Sequence, residues 1–377
     1  MSQINIAPSS QSTCQERLQL PGHDLPRTNW NGHIENFIGV SEVPTGLAGP
    51  LLIRGKEAWG HFQIPLATTE GALVASYNRG AKALSEAGGV TTLCTQEEVQ
   101  RSPVFVMRGL ADVGFMLQWL ENQLPVFQRI TEQKTRFGRL NGMEPLVEGN
   151  HLILTFQYST GDAAGQNMVT FCTDAICSYI DSEAPVKPVK WYVESNFSGD
   201  KKASGRVLSS VRGKRVSAEA VLDAESIANI LKSSPRNIEA YWRTSTMAVV
   251  QSGAIGAMGH AANGLTALFL ATGQDVACVA EAATGMTRFE VRPDGSLYAA
   301  VTLPNLIVGT VGGGTGLPTQ KKCLEFMDCY GAGKAVKYAE ICAGLVLAGE
   351  LSIAAALAEG HFTRAHQSLG RATKKSI

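Results

Sequence analysis

Residues 139–159 read Arg139-Leu140-Asn141-Gly142-Met143-Glu144-Pro145-Leu146-Val147-Glu148-Gly149-Asn150-His151-Leu152-Ile153-Leu154-Thr155-Phe156-Gln157-Tyr158-Ser159. Two strand-like runs flank Glu148-Gly149-Asn150, a hairpin signal. Upstream, Pro103-Val104-Phe105-Val106-Met107-Arg108 reads as a strand. Residues 110–131 then read as a helix, with Val113, Met116, Leu117, Leu120 and Leu124 at helical spacing. Downstream, 163–180 is helical, with Met168, Phe171, Cys172, Ile176 and Tyr179 on one side, and 189–195 closes as a strand. The order βαββαβ is that of a ferredoxin-like unit. We place it at 103–191, inserted into a larger, discontinuous α+β domain formed by 29–102 and 204–377, with a short loop at 192–203 between them.

The larger domain reads as mainly helical. Its central feature is a long Gly-rich helix over 241–271, carrying Gly253, Gly256 and Gly259 at every third position. Such a helix has poor intrinsic propensity, so burial must hold it. Residues 35–40 look strand-like, and Pro44-Thr45-Gly46-Leu47-Ala48-Gly49-Pro50 reads as a turn or edge element. Residues 66–71 open a helix that Thr68 or Thr69 would cap, which puts Glu70 in its first turn. Residues 1–28 are polar, with Pro8, Pro21 and Pro26, and read as an arm.

The chain has 377 residues, with 33 basic and 33 acidic side chains, so its formal net charge is zero. No global field steers nucleic acid or an anionic membrane towards it. Its eight cysteines show no paired CxxC spacing, so no metal framework is visible. Reduced thiols in a cytoplasm are the simplest reading. The start of the sequence lacks the basic and apolar regions of a secretory signal. The apolar runs at 247–272 and 341–358 contain polar residues and read as buried helices rather than membrane spans.

Several stretches carry chemistry. Ser195-Asn196-Phe197-Ser198-Gly199-Asp200-Lys201-Lys202 sets two ammonium groups beside one carboxylate on a loose backbone. It reads either as a solvated turn or as a place to hold developing negative charge. Thr160-Gly161-Asp162-Ala163-Ala164-Gly165-Gln166-Asn167-Met168 joins a strand to a helix start, a ready anion site, although the Rossmann spacing is absent. Asp275 follows a helix-ending Gly273, where the dipole does not favour a carboxylate. The loop Val308-Gly309-Thr310-Val311-Gly312-Gly313-Gly314-Thr315-Gly316 is not a Walker loop. It reads as a flexible connection or as backbone that meets a cofactor. His260 and Asn263 share a helix face, and His366 lies in a Gly-flanked tail.

Taken in order, ENFIG, PTGLAGP, ATTEGALVASYNRG, TGDAAGQNM, SGDKK, GHAANGLTALFLATGQD, VGTVGGGTGLPTQ and LAGELSIAAALAEGHFTRAH resemble the class I-like catalytic portion of 3-hydroxy-3-methylglutaryl-CoA reductases over roughly 29–371. The resemblance implies a four-electron reduction of an acyl-CoA thioester to mevalonate and free CoA, through a hemithioacetal and an aldehyde, with two NADPH. It implies Lys201 as oxyanion holder, Glu70 as proton donor, Asp275 as their tuning partner and His366 as the acid for the CoA thiolate. It implies Ser76, Arg79, Arg101, Asp200, Lys202, Arg243, His260 and Asn263 around the acyl-CoA. For the dinucleotide it implies Asp162, Gly165, Asn167, Gly309, Gly312, Gly313 and Gly314, with Thr135, Arg136 and Arg371 towards a 2′-phosphate. No metal is implied. It also implies a homodimer or dimer of dimers with shared active sites, in the cytoplasm, with neither membrane nor nucleic acid as partner.

The sequence departs from the family pattern in two places. Glu194-Ser195-Asn196 stands where many members have Ser-Gly-Asn, with Ala203 in place of Pro, and Arg243 replaces a substrate-binding Lys. Ala372 stands where eukaryotic members carry a phosphorylatable Ser. Two rival readings follow: a reductase of the same fold acting on another branched acyl-CoA, or a non-catalytic dimer that binds CoA or a nucleotide.

Overall fold

The computed structural model describes residue 30 and residues 32–361. The arm at 1–28, His366 and Arg371 lie outside the described residues. Among the described residues, ten strands are ordered β1 (Thr45–Gly55), β2 (Trp59–Ala67), β3 (Val90–Arg101), β4 (Val104–Val106), β5 (Arg139–Glu148), β6 (His151–Ser159), β7 (Lys190–Tyr192), β8 (Gly213–Leu222), β9 (Met286–Val291) and β10 (Leu297–Leu306). The principal helices are α1 (Leu73–Glu86), α2 (Leu110–Leu120), α3 (Leu124–Lys134), α4 (Gln166–Glu183), α5 (Pro235–Ser252), α6 (Ala261–Thr272), α7 (Pro318–Phe326) and α8 (Ala335–Ala358).

The strands join in the order β7-β4-β6-β3-β8-β10-β9, with β5 on β6, β1 beside β3 and β2 on β1. β1 and β3 pair parallel, and the other ladders are antiparallel. Within the βαββαβ unit, the order is β7-β4-β6-β5, so its first strand lies between its third and its fourth. β6 is the splice: 151–153 pair with β4, and 156–158 pair with the end of β3. Each side of the splice has its own core. Phe105, Phe127, Phe156 and Ile176 belong to one, and Tyr77, Phe269, Leu303 and Leu347 to the other.

Helix α8 runs through the second core, buried on nearly every side. It is long and apolar enough to cross a membrane, yet 83% of its most apolar stretch is covered by protein. Close crossing explains glycines in its neighbourhood. A Cβ on Gly80 of α1 would lie 1.9 Å from the Ala348 carbonyl oxygen, and one on Gly349 or Gly264 would enter the Tyr77 ring. Tyr77 is thus seated between α6 and α8, and its hydroxyl donates to the His260 carbonyl at 2.8 Å.

Several sequence expectations change. The long helix over 241–271 is two helices, α5 and α6, because Gly253 and Gly256 adopt φ of +73° and +87° and end the first. Their spacing marks a break rather than a packing seam. The larger part is not mainly helical, since β1, β2, β3, β8, β9 and β10 lie in it. The helix expected over 110–131 breaks after Leu120 and restarts at Leu124, with Pro125 in the first turn where a missing N–H costs nothing. At 66–71, β2 continues to Ala67, and Thr68 Oγ1 accepts the Glu70 N–H at 3.0 Å to close a turn ahead of α1. Glu70 therefore precedes the helix. Residues 35–40 form no strand, whereas Thr45–Gly55 is one, with its Gly49-Pro50 pair at a bulge between Ala48 and Leu51.

Candidate active site

The loop at 194–202 hangs from the end of β3, where the two cores meet. Ser195 donates its N–H and its hydroxyl to the Ser102 carbonyl, at 2.8 and 2.7 Å. Beyond that tie the backbone enters the left-handed region at Asn196, Gly199 and Lys201, with φ of +67°, +78° and +56°. A lysine there is uncommon and must be held by its surroundings. The Lys201 ammonium lies 2.8 Å from Asp275 Oδ2. Asp275 stands past the Gly273 cap of α6 because it caps the next turn, Val276–Cys278, by accepting the Ala277 N–H at 3.1 Å. Gln166, the first residue of α4, donates to the same carboxylate at 3.4 Å and to Cys278 Sγ at 3.2 Å. Both halves of the molecule therefore contribute to one centre.

These contacts set the protonation of the pair. The Asp275 hydrogen bond, opposed by partial burial and reinforced by the carboxylate charge, raises the Lys201 ammonium above its ordinary value of 10.5. Partial burial pushes the Asp275 carboxyl up, but Lys201 and the Ala277 N–H outweigh it and hold the group below the usual carboxylate range. Beside them, burial pushes the Cys278 thiol up to about 12, so it is an inert neighbour. A protonated lysine with three rotatable donors suits an oxygen that acquires negative charge.

Beneath the loop lies a charge cluster that sequence reasoning met only in part. Arg101 Nη1 lies 3.1 Å from Glu194 Oε2 and 3.1 Å from Asp200 Oδ2. Asp200 also takes Arg212 Nη2 at 2.7 Å, and Arg212 Nε lies 3.0 Å from Glu281 Oε2. Arg212 and Glu281 are fully buried. Burial opposes the charge on Arg212, yet Glu281 and Asp200 hold its guanidinium protonated. No motif or spacing marks Glu281 in the sequence, and the motif that contains Gln166 does not point to its contact with Asp275.

The other expected residues divide. Asn263 Nδ2 donates to Glu70 Oε2 at 2.6 Å, so that pair is formed. His260 stacks on Tyr77 with ring centroids 4.7 Å apart, and buried Glu350 accepts the N–H groups of Gly259, His260 and Ala261 to fix the start of α6. Lys202 Nζ bonds the Asn196 side chain and the Asp200 carbonyl. Arg79 Nε and Nη2 turn to Ser352 Oγ on α8 at 3.1 and 2.9 Å, and Ser76 joins the same hydroxyl at 3.1 Å. Arg243 pairs with Glu239 at 2.7 Å on the exposed side of α5.

Two of the loop glycines sit against neighbouring backbone. Asp162 accepts the N–H groups of Gly333, Lys334 and Ala335 and fixes the start of α8. Gly309 is glycine because a Cβ would lie 2.5 Å from Ala164 N, and Gly314 because one would lie 2.7 Å from the Gly273 carbonyl oxygen. Gly312 and Gly313 have positive φ and open space beside them. Gly165 opens α4 at φ +74°, and no side chain caps its first amides. Asn167 is exposed in that first turn. Nearby, Phe137, Thr160, Gly161, Ala164 and Lys214 line a cavity of about 230 Å³. Arg136 is exposed in the turn after α3, while Thr135 Oγ1 packs on Met168 Sδ at 3.1 Å. Among the described residues no three His, Cys, Asp or Glu side chains gather to hold a metal.

A lysine paired to an aspartate thus lies at the seam of two mixed α/β halves. The fold is that of solved reductases: a class II 3-hydroxy-3-methylglutaryl-CoA reductase from Streptococcus pneumoniae, bound to NADPH in open conformations, superposes with a TM-score of 0.70 over 93% of each chain at 18% identity. Residues 4–371 match the family model of hydroxymethylglutaryl-coenzyme A reductase. The chain is 46% identical over 347 residues to the 3-hydroxy-3-methylglutaryl-coenzyme A reductase of Pyrococcus horikoshii, covering 90% of this chain and 84% of that one. It is 44% identical to that of Methanocaldococcus jannaschii, covering 90% and 85%. The chain belongs to the hydroxymethylglutaryl-coenzyme A reductase family.

Proposed function

We propose that this enzyme reduces 3-hydroxy-3-methylglutaryl-CoA to mevalonate and CoA with two NADPH. The observation that carries the reading is the Lys201–Asp275 pair, formed at 2.8 Å where Gln166 of α4 also reaches in. Lys201 holds the oxygen of the thioester carbonyl as it gains charge, and Asp275 keeps that lysine protonated. Glu70, oriented by Asn263, supplies a proton at the aldehyde stage. His366 is assigned the thiolate proton by family resemblance, and Arg371 the 2′-phosphate.

The uncapped amides at the start of α4, with Gly165 and Asn167, and the open backbone at Gly312 and Gly313 suit a dinucleotide. Arg136, exposed after α3, is assigned the 2′-phosphate by family resemblance. When bound, NADPH supplies hydride. The ferredoxin-like unit at 103–191 is the cofactor-binding part in this reading, and two copies of the chain, in the cytoplasm, share their sites. Light scattering of the purified protein tests that pairing.

One observation favours a second reading, a reductase of another branched acyl-CoA. Arg101 is already compensated by Glu194 and Asp200, so a substrate carboxylate would meet a neutralised cation. Mass spectrometry of the product formed with NADPH separates the two. Mevalonate from 3-hydroxy-3-methylglutaryl-CoA supports the first reading, and turnover only with an acyl-CoA lacking that carboxylate supports the second.

A further inference from the structure

Lys201 is gripped at both ends by one short segment. Asp275 takes its ammonium at 2.8 Å, and Glu281, six residues on, accepts its backbone N–H through Oε1 at 3.0 Å. Glu281 lies on the helical turn Val279–Ala282, which follows directly from the turn that Asp275 caps. The second bond matters because Lys201 sits at φ +56°, a conformation a lysine does not choose unaided.

The other oxygen of Glu281 is held in turn. Arg212 donates Nε to Glu281 Oε2 at 3.0 Å, Nη2 to Asp200 Oδ1 at 2.7 Å and Nη1 to the Gln100 carbonyl at 2.8 Å. Its own N–H is fixed by Asn305 Oδ1 at 3.0 Å. A rigid, fully buried guanidinium therefore fixes the residue before Lys201 by its side chain and Lys201 itself through Glu281. Backbone direction at Lys201 decides where its long side chain starts, and the 2.8 Å contact to Asp275 decides where it ends.

We propose that Glu281, seated by Arg212, is a positioning residue that aims the Lys201 ammonium. This rests on the reading of Lys201 as the oxyanion holder. A substitution at Glu281 then lowers kcat through Lys201 while leaving the ligands' own contacts in place. Misplacement of about 1 Å at a reacting centre costs on the order of 100-fold in rate.

The test uses the full-length enzyme with Glu281→Gln, Glu281→Asp and Lys201→Ala, each alone, and each Glu281 change combined with Lys201→Ala. Glu281→Gln keeps the shape but turns an amide donor towards Arg212; Glu281→Asp keeps the charge but shortens the reach. At least one of them is expected to fold, as judged by circular dichroism. The expected result is kcat lowered by roughly 10- to 100-fold with KM for both substrates within about threefold. In the Lys201→Ala background no further loss is expected, and hydrogen exchange at the Lys201 amide is faster in the Glu281 variants. Unchanged kcat and unchanged amide exchange in a folded Glu281 variant overturn the inference, even if Lys201→Ala is inactive. An equal loss in the Lys201→Ala background overturns it as well, because Glu281 would then act by another route. Should Lys201→Ala keep normal turnover, the reading of Lys201 itself fails, and with it the inference.

Discussion

The ammonium of Lys201 lies 2.8 Å from Asp275 Oδ2, and the two residues come from loops 74 positions apart, at opposite ends of the chain's central stretch. Each is held by a further bond, Lys201 by its N–H to Glu281 and Asp275 by the cap it gives Ala277. The pair is thus preorganised rather than a chance surface contact, whose worth is at most about 1 kcal/mol.

Lys201→Ala removes the only donor we assign to the developing oxyanion. Loss of such a donor costs roughly 100- to 1,000-fold in kcat. Steady-state NADPH oxidation measures it, and near-normal turnover would remove Lys201 from the reaction.

Asp275→Asn deletes the partner that, by hydrogen bond first and charge second, raises Lys201 above 10.5. The alkaline limb of the kcat profile is therefore expected to move to lower pH in the variant. For stability the signs differ between partners. The raised Lys201 contributes below 10.5, and that contribution is lost as pH rises through its higher folded value. The lowered Asp275 contributes above 3.8, and its share is lost as pH falls through its lower folded value. Urea midpoints across pH should flatten at both ends in Asp275→Asn.

Arg136→Ala tests cofactor choice. A hydrogen bond to a charged group is worth about 1.5–3 kcal/mol, so the preference for NADPH over NADH should fall by roughly 10- to 100-fold. An unchanged ratio of kcat/KM values would contradict the assignment.

Gly80→Ala sets two effects against each other. Alanine gains about 1 kcal/mol of helix propensity in α1. Its Cβ, however, would stand 1.9 Å from the Ala348 carbonyl oxygen, a backbone atom of a buried helix that cannot step aside. The clash should win, with net destabilisation of roughly 1–3 kcal/mol seen as a lower urea midpoint. A stabilised variant would show that α1 and α8 can separate at little cost.

How much was legible depended on range. The hairpin at 139–159 and the βαββαβ order could be read because alternation and turn residues are local signals. The helix break at 253–260 was misread because periodic glycines suit both a packing seam and a chain reversal, and only φ separates them. Asp275 drew notice by its unfavourable place after a helix, and the structure explains that place by the turn it caps. The contacts of Gln166 and Glu281 and the Arg101–Glu194 pair had no signal, since partners 69 to 112 residues apart meet only when the chain folds back on itself. Asp162 lies in a motif that drew notice, but its bonds to the start of α8, more than 170 residues away, had no local signal.

The most direct measurement is the number of NADPH oxidised per CoA thiol released from 3-hydroxy-3-methylglutaryl-CoA, followed by absorbance and thiol titration in one cuvette. A ratio of about two is the result expected of a four-electron reduction carried through to the alcohol. A ratio near one, with an aldehyde as product, would contradict the role given to Glu70 and the second reduction, and no oxidation at all would contradict the proposed substrate.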